Sequence, residues 1–93
     1  MPQPRSVEVL LLSATECELC EHAKEVLQRV SCEYPLDIRD VSVDLPEGRQ
    51  LAAQHGILFA PGLLLNGETF SYGRVSERKL RRALSRLGEP TSL

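Results

Sequence analysis

The stretch "VEVLLLSATECELCEHAKEVLQRV", Val7 to Val30, is where the reading of this chain turns. "VEVLLL" is rich in branched residues, is interrupted only by Glu8 and is too short for a typical helix, so it predicts a largely buried strand. The polar "SATE" breaks that run. From there Leu19, Ala23, Val26, Leu27 and Val30 fall at offsets of 0, 4, 7, 8 and 11, one face of an amphipathic helix. Glu18 and Glu21 in its first turn and Arg29 in its last complement the helix dipole. The helix should stop by Tyr34, the residue before Pro35. Two cysteines, Cys17 and Cys20, therefore stand where a buried strand hands over to a helix.

Outward from this unit, "LDIRDVSVD" puts Leu36 and Ile38 on one parity and Val41 and Val43 on the other. It predicts a strand centred on Ile38 to Val43, with a bulge or boundary near Arg39 and Asp40. "LPEGRQLAAQHG" predicts a short second helix, with Pro46 in a first turn that tolerates it and Gly56 at its end, although Gly48 lies inside. "ILFAPGLLLNGETFSY" reads as two strands joined at Asn66-Gly67, a dipeptide suited to a type I′ hairpin because both central residues must accept positive φ. "SERKLRRALSRLG" places Leu80, Ala83, Leu84 and Leu87 at helical spacing, with Ser76 as N-cap and Gly88 as the stop. The element order is β-α-β-α-β-β-α. A parallel first pair and an antiparallel hairpin imply a mixed four-stranded sheet with helices on both faces, an α/β fold.

At 93 residues, with 42% hydrophobic and 26% charged, the chain fits one domain around one core. We assign residues 7–88 to that domain, 1–6 to a disordered tail carrying Pro2 and Pro4, and 89–93 to a C-terminal tail. A net charge of -2 gives no global attraction to nucleic acid or to an anionic membrane, and neither is an expected partner. No run is long enough to span a bilayer and no secretory signal layout is present. Three cysteines, an odd number, make a disulfide-stapled secreted scaffold a poor fit, so a cytoplasmic home is expected. A monomer is expected as well.

At a helix start, unpaired N–H groups and the positive dipole end stabilise a thiolate, the reactive form of cysteine. A spacing of three brings Cys17 and Cys20 onto one face, within reach of a disulfide. This favours a redox pair, with outer Cys17 attacking and inner Cys20 resolving the mixed disulfide. The bland alternative is that both residues cap and pack a helix. Zinc is the sharper rival, with the pair as half a site. Cys32, however, lies about 20 Å along the helix at a rise of about 1.5 Å per residue, too far to complete a site or resolve a disulfide. His22 is turned roughly 140° from Cys17, onto another face. His22 and His55 read as ordinary boundary residues and Cys32 as a bystander. Glu16, Glu18 and Glu21 oppose a thiolate on the same scale as the helix end favours it, about 0.3 to 1 kcal/mol, which predicts a reducing rather than a strongly oxidising pair.

With these elements placed, the chain resembles the thioredoxin fold, and in detail the small glutaredoxin-like and redox-active disulfide proteins. "CELCEHAK" (Cys17 to Lys24) is similar to their C-x-L-C-x-x-A-K opening. "HGILFAPGLLLNGE" (His55 to Glu68) resembles the thioredoxin Gly-Ile, Pro, apolar-run, Asn-Gly stretch, and "YGRVSERKL" (Tyr72 to Leu80) the Gly-Arg turn before the last helix. The resemblance implies a cis Ala60-Pro61 peptide facing the cysteine pair, with Ala60, Pro61, Gly73 and Arg74 lining a substrate groove. It implies a thiol-disulfide oxidoreductase that reduces protein or low-molecular-weight disulfides, recharged by a dithiol reductase or by glutathione. No tightly bound cofactor is expected. Glutathione is a candidate ligand, with Arg74 meeting a carboxylate. Three departures stand out: Gly62 follows Pro61 in place of a hydroxyl-bearing residue, Glu18 and Leu19 separate the cysteines without proline or aromatic, and no lysine precedes Cys17. Two other readings remain. One is a module holding a metal or iron-sulfur cluster between Cys17 thiolates of two copies. The other is a redox-inactive adaptor docking through Arg78, Lys79, Arg81, Arg82 and Arg86, a run that as a bland reading is a solvated face.

Overall fold

The computed structural model of the protein describes residues 6–87. The predicted tails of 1–6 and 89–93 fall outside them except for Ser6, as does the Gly88 helix stop.

Strand β1 (Val7–Ser13) lies at the centre of the sheet. Helix α1 (Glu18–Val30) crosses to β2 (Leu36–Ser42), which pairs parallel to β1, Val7 with Leu36 through Ser13 with Ser42. Helix α2 (Pro46–Gln54) then leads to β3 (Gly62–Leu65), antiparallel to β1, and β4 (Glu68–Tyr72), antiparallel to β3. Helix α3 (Glu77–Leu87) follows, and the sheet order is β2-β1-β3-β4.

Alternation along β1 explains why its sequence is apolar on both parities. Val7, Val9 and Leu11 pack with Ala23, Val26, Leu27 and Val30 of α1 and Leu80 and Leu84 of α3. Leu12, with Leu10 beside it, meets Val41, Ile57 and Leu64 on the α2 face. The strand is thus buried between two helical layers, the arrangement a continuous apolar run requires.

The turn Asn66-Gly67 is as the sequence predicts: φ is 51° at Asn66 and 85° at Gly67. Asn66 also clamps β1, its Oδ1 accepting from Glu8 N at 2.9 Å and its own N–H donating to Glu8 O at 2.7 Å. Ser76 caps α3, its Oγ accepting from Lys79 N at 3.2 Å.

Three expectations are corrected. The second strand runs from Leu36 to Ser42 in unbroken register with no bulge, because Leu36 serves the α1/α3 layer and Val41 the α2 layer. Its two parities need no realignment because each meets its own layer at one end of the strand, while Ile38 between them stays 41% exposed. The third strand starts only at Gly62, and Ile57 to Pro61 form a loop, consistent with a proline that cannot donate to a ladder. Leu19 joins neither core cluster and is 36% exposed, whereas Cys20 is fully buried. The helical wheel favours Leu19, but in the first turn it stands where no layer packs over it.

Candidate active site

The loop that delivers the cysteine pair is tied down before it reaches them. Ser13 Oγ donates to Asp40 Oδ1 at 2.6 Å, Ser13 O accepts from Val43 N at 2.8 Å, and Thr15 Oγ1 donates to Asp44 Oδ2 at 3.2 Å. Glu16 takes a left-handed conformation, φ 51°, which turns the chain into the helix. Cys17 then occupies the N-cap of α1 with extended backbone, and its Sγ accepts from Cys20 N at 3.1 Å. The two residues are joined as a disulfide with Cα atoms 5.1 Å apart. Cys17 is half-buried and Cys20 fully buried.

Register carries the remaining predicted residues to the same end of the sheet. Gly62 pairs with Leu12 near the end of β1 and with Tyr72 at the end of β4. Ala60 and Pro61, just before Gly62, and Gly73 and Arg74, just after Tyr72, therefore lie at the end from which β1 runs on to Cys17. The Ala60-Pro61 peptide is cis, as the resemblance implies. Gly73 N donates to Pro61 O at 2.8 Å, stitching the two loops together. Gly73 has φ 85°, a left-handed conformation that favours glycine, and a Cβ there would stand 3.0 Å from Phe59 Cε1, so the exposed ring would have to shift slightly. Arg74 is exposed.

Sequence reasoning missed the apolar rim of this end. Leu58 is 75% exposed and Phe59 59%, and Phe59 meets Tyr72 edge-on with ring centroids 5.1 Å apart. With exposed Leu19 between the cysteines, three segments present large apolar side chains. The signal lies in "ILFA", an apolar run just before a proline, which a strand reading treats as buried. Also missed was the group at the end of β2: Lys24, one turn beyond Cys20, places Nζ 3.4 Å from Glu21 and 3.6 Å from Asp40, which also holds Ser13. The Glu21 hydrogen bond first, then the charge of Asp40, hold the Lys24 ammonium above its ordinary range.

Cys32 is free and exposed, its Sγ 3.7 Å from Gln28 O. His22 is half-buried, with Nδ1 unpartnered among the described residues, and His55 ends α2, its carbonyl accepting from Thr69 Oγ1 at 2.9 Å. Among the described residues no three His, Cys, Asp or Glu side chains come together as a metal site. No described helix is long and apolar enough to cross a membrane.

A family model described as Glutaredoxin-like domain (DUF836) matches residues 8–85, which contain every element that builds this site. The chain belongs to the glutaredoxin-like domain family. This glutaredoxin-like chain is also similar to a thioredoxin of Methanocaldococcus jannaschii, 26% identical over 80 residues that cover 86% of this chain and 94% of the relative. Among solved structures it is similar to a mutant thioredoxin from Halobacterium salinarum NRC-1, with a TM-score of 0.74, 22% identity, and coverage of 94% of this chain and 79% of that one. The fold of this family member is thus thioredoxin-like, and its cysteine pair supports a thiol-disulfide role.

Proposed function

We propose that this protein is a dithiol oxidoreductase that reduces disulfides of polypeptide substrates, using Cys17 as nucleophile and Cys20 as resolving thiol. The observation that carries the reading is a half-buried Cys17 at the α1 N-cap, bonded to a fully buried Cys20. Only the outer residue is open to a substrate, and the helix end favours its thiolate.

In the reduced protein the Cys17 thiolate attacks one sulfur of the substrate disulfide. The Cys17–substrate bond forms, the substrate S–S bond breaks, and the departing thiolate takes a proton from water. Cys20 then loses its proton and attacks Cys17 Sγ, releasing the second substrate thiolate, which is protonated in turn. The substrate has gained two electrons and two protons, and the protein is left with the Cys17–Cys20 disulfide. An external dithiol reverses the last state by the same exchange.

Ala60 and Pro61 shape the groove beside the nucleophile, and Gly73 holds it through the bond to Pro61 O. Leu19, Leu58 and Phe59 supply apolar contact to a polypeptide. Glutathione is the weaker substrate: it carries net negative charge, exposed Glu16, Glu18 and Glu21 surround the pair, and Arg74 is the cation next to Gly73. The protein is proposed to work as a cytoplasmic monomer.

The test is disulfide reduction of a folded protein substrate above the background of dithiothreitol. Cys17→Ser abolishes turnover, and Cys20→Ser accumulates a mixed disulfide visible by intact mass. Full activity in Cys17→Ser sinks the assignment. A redox titration read by alkylation and mass should show one two-electron transition between about -200 and about -300 mV.

A further inference from the structure

The basic residues of α3 are divided by the fold. On the flank toward α1 charge is matched: Arg81 reaches Glu33 at 2.8 Å and Glu77 at 3.1 Å, and Arg29 reaches Glu77 at 2.8 Å. On the flank toward the hairpin, Lys79, Arg82 and Arg86 recur at i, i+3 and i+7, all exposed, with no carboxylate within ion-pair distance among the described residues. Among the described residues the same helix thus carries one neutralised and one uncompensated side.

The uncompensated side forms the wall of a groove of about 480 Å³ between α3 and the β3–β4 hairpin, a volume that takes a few side chains. Leu65, Phe70, Ala83 and Leu87 supply its apolar surface. Among the described residues Glu68 is the one carboxylate of the lining, against three cations. Among the described residues β4 is an edge strand of the sheet, so the groove runs beside backbone groups that none of them pairs. It lies away from the cysteine pair, because Leu65 pairs with Val9 near the start of β1 whereas Cys17 follows its end.

We propose that this groove docks an acidic, extended segment of a partner protein. The segment pairs with the free edge of β4, rests an apolar side chain against Phe70 and Ala83, and sets carboxylates against Lys79, Arg82 and Arg86. The net charge of -2 for the whole chain argues against nucleic acid, whose binding rests on broad positive potential, while three local cations suffice for a short acidic peptide. The docking needs neither cysteine, and so stands apart from the redox reading.

The probe is a short fluorescent peptide alternating Asp or Glu with Leu and Phe, beside a counterpart carrying Asn and Gln, titrated into the full chain by anisotropy. The acidic peptide binds, binding weakens as salt rises, and Arg82→Glu with Arg86→Glu lowers affinity roughly tenfold or more. Amide shifts fall in residues 65–70 and 79–87. Both arginines are exposed, and the double variant keeps its fold and its rate of disulfide reduction, so a failed docking and a failed oxidoreductase are separate results. The proposal is overturned if the Asn/Gln peptide binds equally, if the double variant binds as wild type, or if shifts centre on Cys17 to Cys20. It is equally overturned if contacts between residues 88–93 and Phe70 in the free chain show the groove already filled, or if anionic vesicles bind through these arginines and the peptide does not.

Discussion

Glu18 sits between the two cysteines, exposed, at the positive end of α1. Its charge opposes the Cys17 thiolate in the reduced protein while the helix end favours it, and effects of this kind on a surface are small. Glu18→Lys should therefore speed alkylation of reduced Cys17 at neutral pH and raise the reduction potential by tens of millivolts, since about 30 mV corresponds to 1.4 kcal/mol for this couple. Equal alkylation rates in the two proteins would refute the electrostatic account. Gly48 shows a different kind of constraint. A Cβ there would collide with the Ser42 carbonyl oxygen and lie 2.9 Å from Val43 Cα, so the helix that glycine weakens is the helix glycine lets approach β2. Gly48→Ala should gain about 1 kcal/mol in helix propensity yet lose about 1 to 3 kcal/mol to overpacking, a net lowering of the urea midpoint. Sequence alone marks Gly48 only as a helix weakness, because the carbonyl it faces belongs to another element.

Between elements, α1 and α3 are joined by charge as well as by core packing. Glu77 accepts from Arg29 and from Arg81, and those two hydrogen bonds, Arg29 first, hold its carboxyl below the ordinary value of 4.5. A carboxyl whose folded pKa is depressed contributes stability above its unfolded pKa and loses it as pH falls through the folded one. The contribution should thus be full above pH 4.5 and fade below it. Urea midpoints followed from about pH 6 down to about pH 3 should fall less steeply in Glu77→Gln than in wild type, and identical slopes would remove Glu77 from the account.

At the scale of the molecule, two apolar layers flank one sheet, and the end that holds the cysteine pair carries exposed apolar side chains, Leu19, Leu58 and Phe59, that belong to neither layer. The two kinds of apolar residue should separate in experiment. Leu84→Ala, fully buried, should cost about 2 to 5 kcal/mol in denaturant unfolding. Phe59→Ala, more than half exposed, should change stability little and slow reduction of a protein disulfide more than that of a small one. Loss of stability in Phe59→Ala with unchanged substrate preference would return Phe59 to the core.

The order of elements, the strand-to-helix seat of Cys17 and Cys20, the Asn66-Gly67 turn and the Ser76 cap are legible in the residues alone, since each depends on residues a few positions apart. The meeting of Pro61 with Gly73 and the exposure of Leu19, Leu58 and Phe59 belong to tertiary structure, as does the division of the α3 cations into matched and unmatched flanks. Each of these depends on which distant element lies opposite. Periodicity says that a face is apolar or charged, but only packing decides whether another layer covers it.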